Sequence, residues 1–242
     1  MKMPLIFLPL VLLMAACESA VSPGTQEHVE DAYAARMQRY RAQLAVLEDA
    51  NAHQQAMAQV IGVVSVIPAH LTDEDVFPAQ AVEIHQTVQA LLHRAEDRPY
   101  HWLVEREAAH NMLRNVLLPS GEAIPDSLFA HYAGALVDNF SMEYPTMLAA
   151  LEHIRDPAKR AEIAREALLN LDVLEAIAAE QYDALLAYLQ ASESLPAKAA
   201  SELDQVRKEM EHAWPPMVTE GKRLVPLNVD ATRARLHAMM GS

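Results

Sequence analysis

The chain has one cysteine and six glycines in 242 residues, and only 5% of it is aromatic. A lone thiol can neither close an internal disulfide nor supply a Cys-x-x-Cys redox or metal pair. Six scattered glycines cannot build a phosphate-cradling loop or a dinucleotide fingerprint, and they leave few positions for tight hairpins. There is no Gly-x-Ser-x-Gly elbow and no His-Glu-x-x-His helix, so the commonest serine-hydrolase and zinc-protease signatures are missing. Positive charge is scarce too: 19 Lys and Arg face 33 Asp and Glu, a net −14. Such a surface repels phosphate backbones and anionic headgroups, so nucleic acid is not an expected partner. No segment alternates polar and apolar residues for long enough to be a half-buried strand. No repeat of solenoid length is present.

What is abundant points to helices. Hydrophobic residues make up 52% of the chain, enough to bury a core without disulfides or metal staples. Apolar positions recur at steps of three and four, with prolines between the runs. Val29, Tyr33, Met37, Tyr40, Leu44 and Leu47 mark a first helix, expected to continue through Met57 and Val60 and to fray into Pro68. Thr72 and Asp75 form a capping-box signature before a second helix carrying Ala81, Ile84, Val88, Leu91 and Ala95. Pro99 fits the first turn of a third, with Trp102, Ala109, Leu113 and Val116 inward. Leu118–Pro125 reads as a loop. A fourth helix is expected from Asp126 to Phe140, and a short fifth opens at Pro145. Asp156-Pro157, an N-cap followed by proline, starts a long sixth with Ile163, Ala167, Leu171 and Leu174 in register. A seventh begins after Ser194-Leu195-Pro196 and ends at Trp214-Pro215-Pro216. Met217–Val229 lacks helical periodicity and is expected to be extended across the bundle. Asp230 is expected to cap a terminal helix ending at Met240. The fold class is therefore all-α, a bundle of about seven to eight amphipathic helices.

The N-terminus carries an address. Lys2 precedes an apolar run, Leu5–Leu13, that is too short to span a bilayer, which needs about 20 residues. Ala15 and Ala16 follow, then Cys17, the only cysteine. This is signal-peptide architecture. Met14-Ala15-Ala16-Cys17 resembles the lipobox of bacterial lipoproteins, with Met14 where that pattern usually has Leu, Val or Ile. The resemblance covers the first 17 residues. It implies cleavage before Cys17, acylation of its thiol, and attachment to a membrane through the N-terminal acyl chains. Glu18 stands where an Asp tends to hold such proteins in the inner membrane, so in a Gram-negative cell the resemblance implies the outer membrane, facing the periplasm. Residues 1–16 are then the signal peptide and 17–25 a tether reaching about 25–30 Å. Residues 26–242 are read as one α-helical domain.

Eleven histidines are the best source of candidate chemistry. Glu107-Ala108-Ala109-His110 places a carboxylate and an imidazole on one helical face. If the second and third helices fold back at Arg98-Pro99, His85 lies opposite His110. His85, Glu107 and His110 would then be candidate zinc or copper ligands. His93 and Glu96 repeat the spacing in reverse. Some helical lipoproteins cleave peptidoglycan with a catalytic Glu, but the Gly- and Ser-rich motif that follows it there is missing here. The 12 methionines are scattered and read as core filler. Arg233 and Arg235 make the terminal helix locally basic, a possible contact for lipid headgroups. With no catalytic motif and no cofactor expected, the favoured reading is a non-enzymatic scaffold, adaptor or inhibitor that binds another envelope protein. A His/Glu metal-binding bundle is the alternative.

Overall fold

The computed structural model describes residues 23–64, 78–141, 143–191, 217–220, 223–226 and 229–241. The fold is all-α, a multi-helix bundle. Its helices are α1 (Pro23–Glu48), α2 (Ala50–Val64), α3 (Pro78–Ala95), α4 (His101–Met112), α5 (Asp126–Asp138), α6 (Tyr144–His153), α7 (Pro157–Ala191) and α8 (Val229–Met240). Buried side chains form one continuous cluster that includes Met37, Met112, Phe129, Leu151, Leu171 and Leu236. Among the described residues no helix is long and apolar enough to cross a membrane. The signal-peptide residues and Cys17, the Thr72 capping box, the helix expected after Pro196 and Trp214-Pro215-Pro216 all lie outside the described residues.

The first helix is not continuous. Asp49 interrupts it, and its Oδ1 accepts the amide of Ala52 at 2.7 Å, an N-cap that starts a new helix. An apolar stripe running through both halves hides this break. The stripe is also narrower than expected: Val29 is 55% and Met57 43% exposed. α1 packs on α7, and α2 packs on α4.

The turn at Glu96–Tyr100 does fold α3 back onto α4. Pro99 belongs to that turn, and α4 begins two residues later at His101. Beyond Met112 the chain does not loop out at Leu118. It passes through a π-turn at Leu113–Leu117, resumes α-helix at Leu118–Ser120 and tightens to a 3₁₀ turn at Gly121–Ala123. Pro119 supplies the reason. It lacks an N–H and its ring would press on the carbonyl four residues back, at Asn115. The wider turn, in which the Leu118 amide reaches the Leu113 carbonyl, relieves that crowding.

α5 starts as expected but stops at Asp138, two residues short of Phe140. The amides of Phe140 and Ser141 bond to the carbonyls of Val137 and Leu136 at 3.2 and 2.9 Å, the pairing of a Schellman cap. Asp126 opens α5, and its Oδ2 also accepts the amides of Arg155 and Asp156 at 2.8 and 2.9 Å. That pins the start of α7 beside the start of α5. Asp156 caps α7 through the amide of Ala158 at 2.9 Å, as the Asp-Pro pair predicts.

The extended segment after residue 216 contains a small hairpin. β1 (Met217–Glu220) and β2 (Arg223–Pro226) pair antiparallel, with Met217 opposite Pro226, and β1 touches α7. α8 then lies along α7. Asp230 sits in its first turn, where a carboxylate complements the helix dipole. Arg233 pairs with Asp172 and Glu175 of α7, both at 2.6 Å, and Arg235 pairs with Glu152 of α6. The arginines read as a lipid contact instead fasten α8 to its neighbours.

Candidate functional site

The three residues read as a metal set do not converge. His85, on α3, has its Nδ1 2.7 Å from the Tyr132 hydroxyl on α5, with the His131 ring edge-on at 5.2 Å. Burial, and then the charge His131 can carry, lower the His85 pKa below the ordinary histidine value. Glu107 lies 3.5 Å from the Arg106 guanidinium. His110 Nε2 is 3.7 Å from Glu143 Oε2, too long for a hydrogen bond. Among the described residues no group of three or more His, Cys, Asp or Glu side chains is placed to hold a metal ion. His93 and Glu96 form an exposed pair at 2.9 Å.

Glu107 belongs instead to a cleft that no motif announces. α1 supplies Tyr40, Gln43, Leu44 and Leu47, and α2 supplies Met57. Trp102, Arg106 and Glu107 come from α4; Phe140, Ser141 and Glu143 come from the α5–α6 turn. The cavity holds about 260 Å³. α2, which starts anew after Asp49, packs on α4, and α1 packs on α2, so both halves of the interrupted helix contribute to the walls.

Three features separate this cleft from ordinary packing. First, two buried polar atoms have no hydrogen-bond partner, Gln43 Oε1 and Trp102 Nε1. Gln43 is only 8% exposed. A buried polar atom left unpaired costs the fold about 1–3 kcal/mol, unless a ligand or a water satisfies it. Second, Arg106 sits over the Trp102 ring, 5.6 Å from its centroid. Burial lowers the guanidinium pKa, and Glu107 and Glu143 partly offset this. Third, Phe140 has φ of 45°, the left-handed region that glycine usually fills at a Schellman cap. A non-glycine residue there costs roughly 1–2 kcal/mol. The strained backbone holds the Phe140 ring against Tyr40, centroids 5.0 Å apart, at the cleft wall.

No protein-family model, curated protein or solved structure matches the chain. The site therefore has to be read from its own chemistry. It offers an unpaired indole donor, an unpaired carboxamide acceptor, a guanidinium shared with carboxylates, and an apolar floor. Ser141 Oγ accepts the Glu143 amide at 3.2 Å and so shapes the turn. This set suits recognition: it can orient a bound group, exclude water and discriminate by shape.

The sequence marked Trp102 as an inward residue of a helix and did not mark Gln43 or Arg106 at all. Gln43 falls between Tyr40 and Leu47 on the inward side of α1, a polar residue inside an apolar stripe. That was the available signal.

Proposed function

We propose that the protein is an exported, lipid-anchored helical protein of the bacterial cell envelope that binds another envelope protein without catalysing a reaction. It acts as a scaffold, adaptor or inhibitor. The address rests on Met14-Ala15-Ala16-Cys17 and on Cys17 being the sole cysteine. In a Gram-negative cell, Glu18 favours the outer membrane, with the domain facing the periplasm. The binding role rests on one observation above the others. A cleft between α1, α2 and α4 carries buried polar atoms that the fold itself leaves unpaired, as a prepared recognition site does.

Two measurements test this reading. Labelled palmitate should enter the wild-type chain and not Cys17→Ser; equal labelling of both overturns the anchor. A photo-crosslinking residue at Met57, which lines the cleft, should give one discrete adduct in intact cells. The same residue at the exposed Glu162 on α7, which does not line the cleft, should give none. Identical patterns from both positions would remove the cleft as the binding site.

A further inference from the structure

The cleft has chemistry enough to say what it binds. Its volume, about 260 Å³, falls below the roughly 300–1,000 Å³ of pockets that enclose whole small-molecule ligands. It is the size of an anchor pocket, which takes one side chain of a larger partner. Tyr40, Leu44, Leu47 and Phe140 give it an apolar interior. At its rim Met57, 43% exposed, is followed one turn along α2 by Ile61, 64% exposed and outside the lining. They continue the apolar surface away from the cleft mouth.

The unpaired atoms describe the polar part of the ligand. Gln43 Oε1 lacks a donor and Trp102 Nε1 lacks an acceptor. A backbone peptide group provides both, an N–H for the carboxamide oxygen and a carbonyl for the indole. Charge selects further. Glu107 and Glu143 stand in the lining beside Arg106 and His53, and the whole chain carries −14. A carboxylate-rich partner is repelled by that net charge, and a basic one is drawn in.

We propose that the cleft is the anchor pocket for one apolar residue of a polypeptide partner, flanked there by basic residues, whose backbone peptide group bonds to Gln43 and Trp102. This inference rests on the binding reading above and names its ligand. A trapped water is the competing occupant, because water also donates and accepts.

The test uses the full chain in mild detergent and follows the indole N–H resonance of Trp102, assigned with Trp214→Phe. The probe is acetyl-Lys-Leu-Lys-amide. It should move the Trp102 resonance saturably, with millimolar affinity. Acetyl-Glu-Leu-Glu-amide and acetyl-Lys-Ser-Lys-amide should each bind about tenfold more weakly or worse. Methylating the leucine nitrogen of the probe removes the N–H without touching the protein, and should weaken binding about tenfold as well. Gln43→Leu should lower affinity by a similar factor while leaving the unfolding midpoint unchanged or higher. A Trp102 resonance that does not move, or equal binding of the methylated probe, overturns the proposal. So does a Gln43→Leu chain that binds as wild type. A Gln43→Leu midpoint several degrees lower shows that the oxygen was already satisfied, which also overturns it. If the probe fails while the Met57 adduct forms in cells, the ligand chemistry is wrong and the binding reading stands. If both fail, both are removed.

Discussion

At the scale of single residues, the interior polar groups decide more than the ion pairs on the surface. Asn170 is 1% exposed. It accepts Arg36 Nη1 at 2.6 Å and donates to the Val137 carbonyl, so one carboxamide joins α1, α5 and α7. Arg36 also pairs with Glu166. Asn170→Ala strands a buried guanidinium N–H and a buried carbonyl together. The expected loss is about 3 kcal/mol, read as a lower urea midpoint at unchanged slope. His85 gives a second prediction, in pH. Its folded-state pKa is depressed by burial and by His131, so the unfolded chain takes up a proton that the folded chain resists. Stability from this group is full above about pH 6.5, the unperturbed value, and is lost as pH falls below it. Thermal midpoints measured from pH 7.5 down to pH 5 should fall more steeply in the wild-type chain than in His85→Gln. Parallel curves would show that the imidazole protonates freely.

Elements were legible where their signals are local. Asp156-Pro157 announces the start of α7 because a cap and a proline act within one turn, and the helix begins there. Ala81 and Val88 set the inward face of α3 for the same reason: period and burial agree. The break at Asp49 was not legible, because the apolar period runs on through it and only the meeting with α4 makes a bend worth capping. The π-turn was not legible either. Proline reads as a loop signal, and although Leu113 and Val116 were expected inward and are fully buried, nothing local says that their burial with Leu117 holds the chain helical past the strain. These failures share a cause: tertiary packing chose between two locally acceptable conformations. Asp49→Ala tests the consequence. Loss of an N-cap costs about 1 kcal/mol, and α1 and α2 then tend to merge into one helix. The cleft they wall should open, so acrylamide should quench Trp102 more strongly in this variant, in a Trp214→Phe background. Unchanged quenching would show that packing on α4 holds the bend without the cap.

Across the whole molecule, the site was less legible than the fold, because its members are remote in sequence. Gln43, Trp102, Arg106 and Glu143 come from three different parts of the chain. Each has an ordinary reading alone; only their meeting leaves an indole and a carboxamide unpaired. The net charge, by contrast, is readable from composition and acts at a distance. A chain at −14 should gather a basic partner faster than diffusion of neutral bodies allows, and salt should slow that encounter, since the Debye length shrinks from about 30 Å at 0.01 M to about 8 Å at 0.15 M. The anchor pocket is buried and mainly apolar, so salt should hardly touch the rate of leaving. Association with a basic, leucine-bearing polypeptide should therefore slow by about tenfold or more between those two ionic strengths, while dissociation stays within about a factor of two. Gln43→Leu should do the reverse, raising the off-rate and sparing the on-rate. Surface-resonance traces at several salt concentrations separate the two rates directly. Salt acting on the off-rate alone would mean that the carboxylates around Arg106 hold the partner by charge, and that the apolar floor of the cleft is not its anchor.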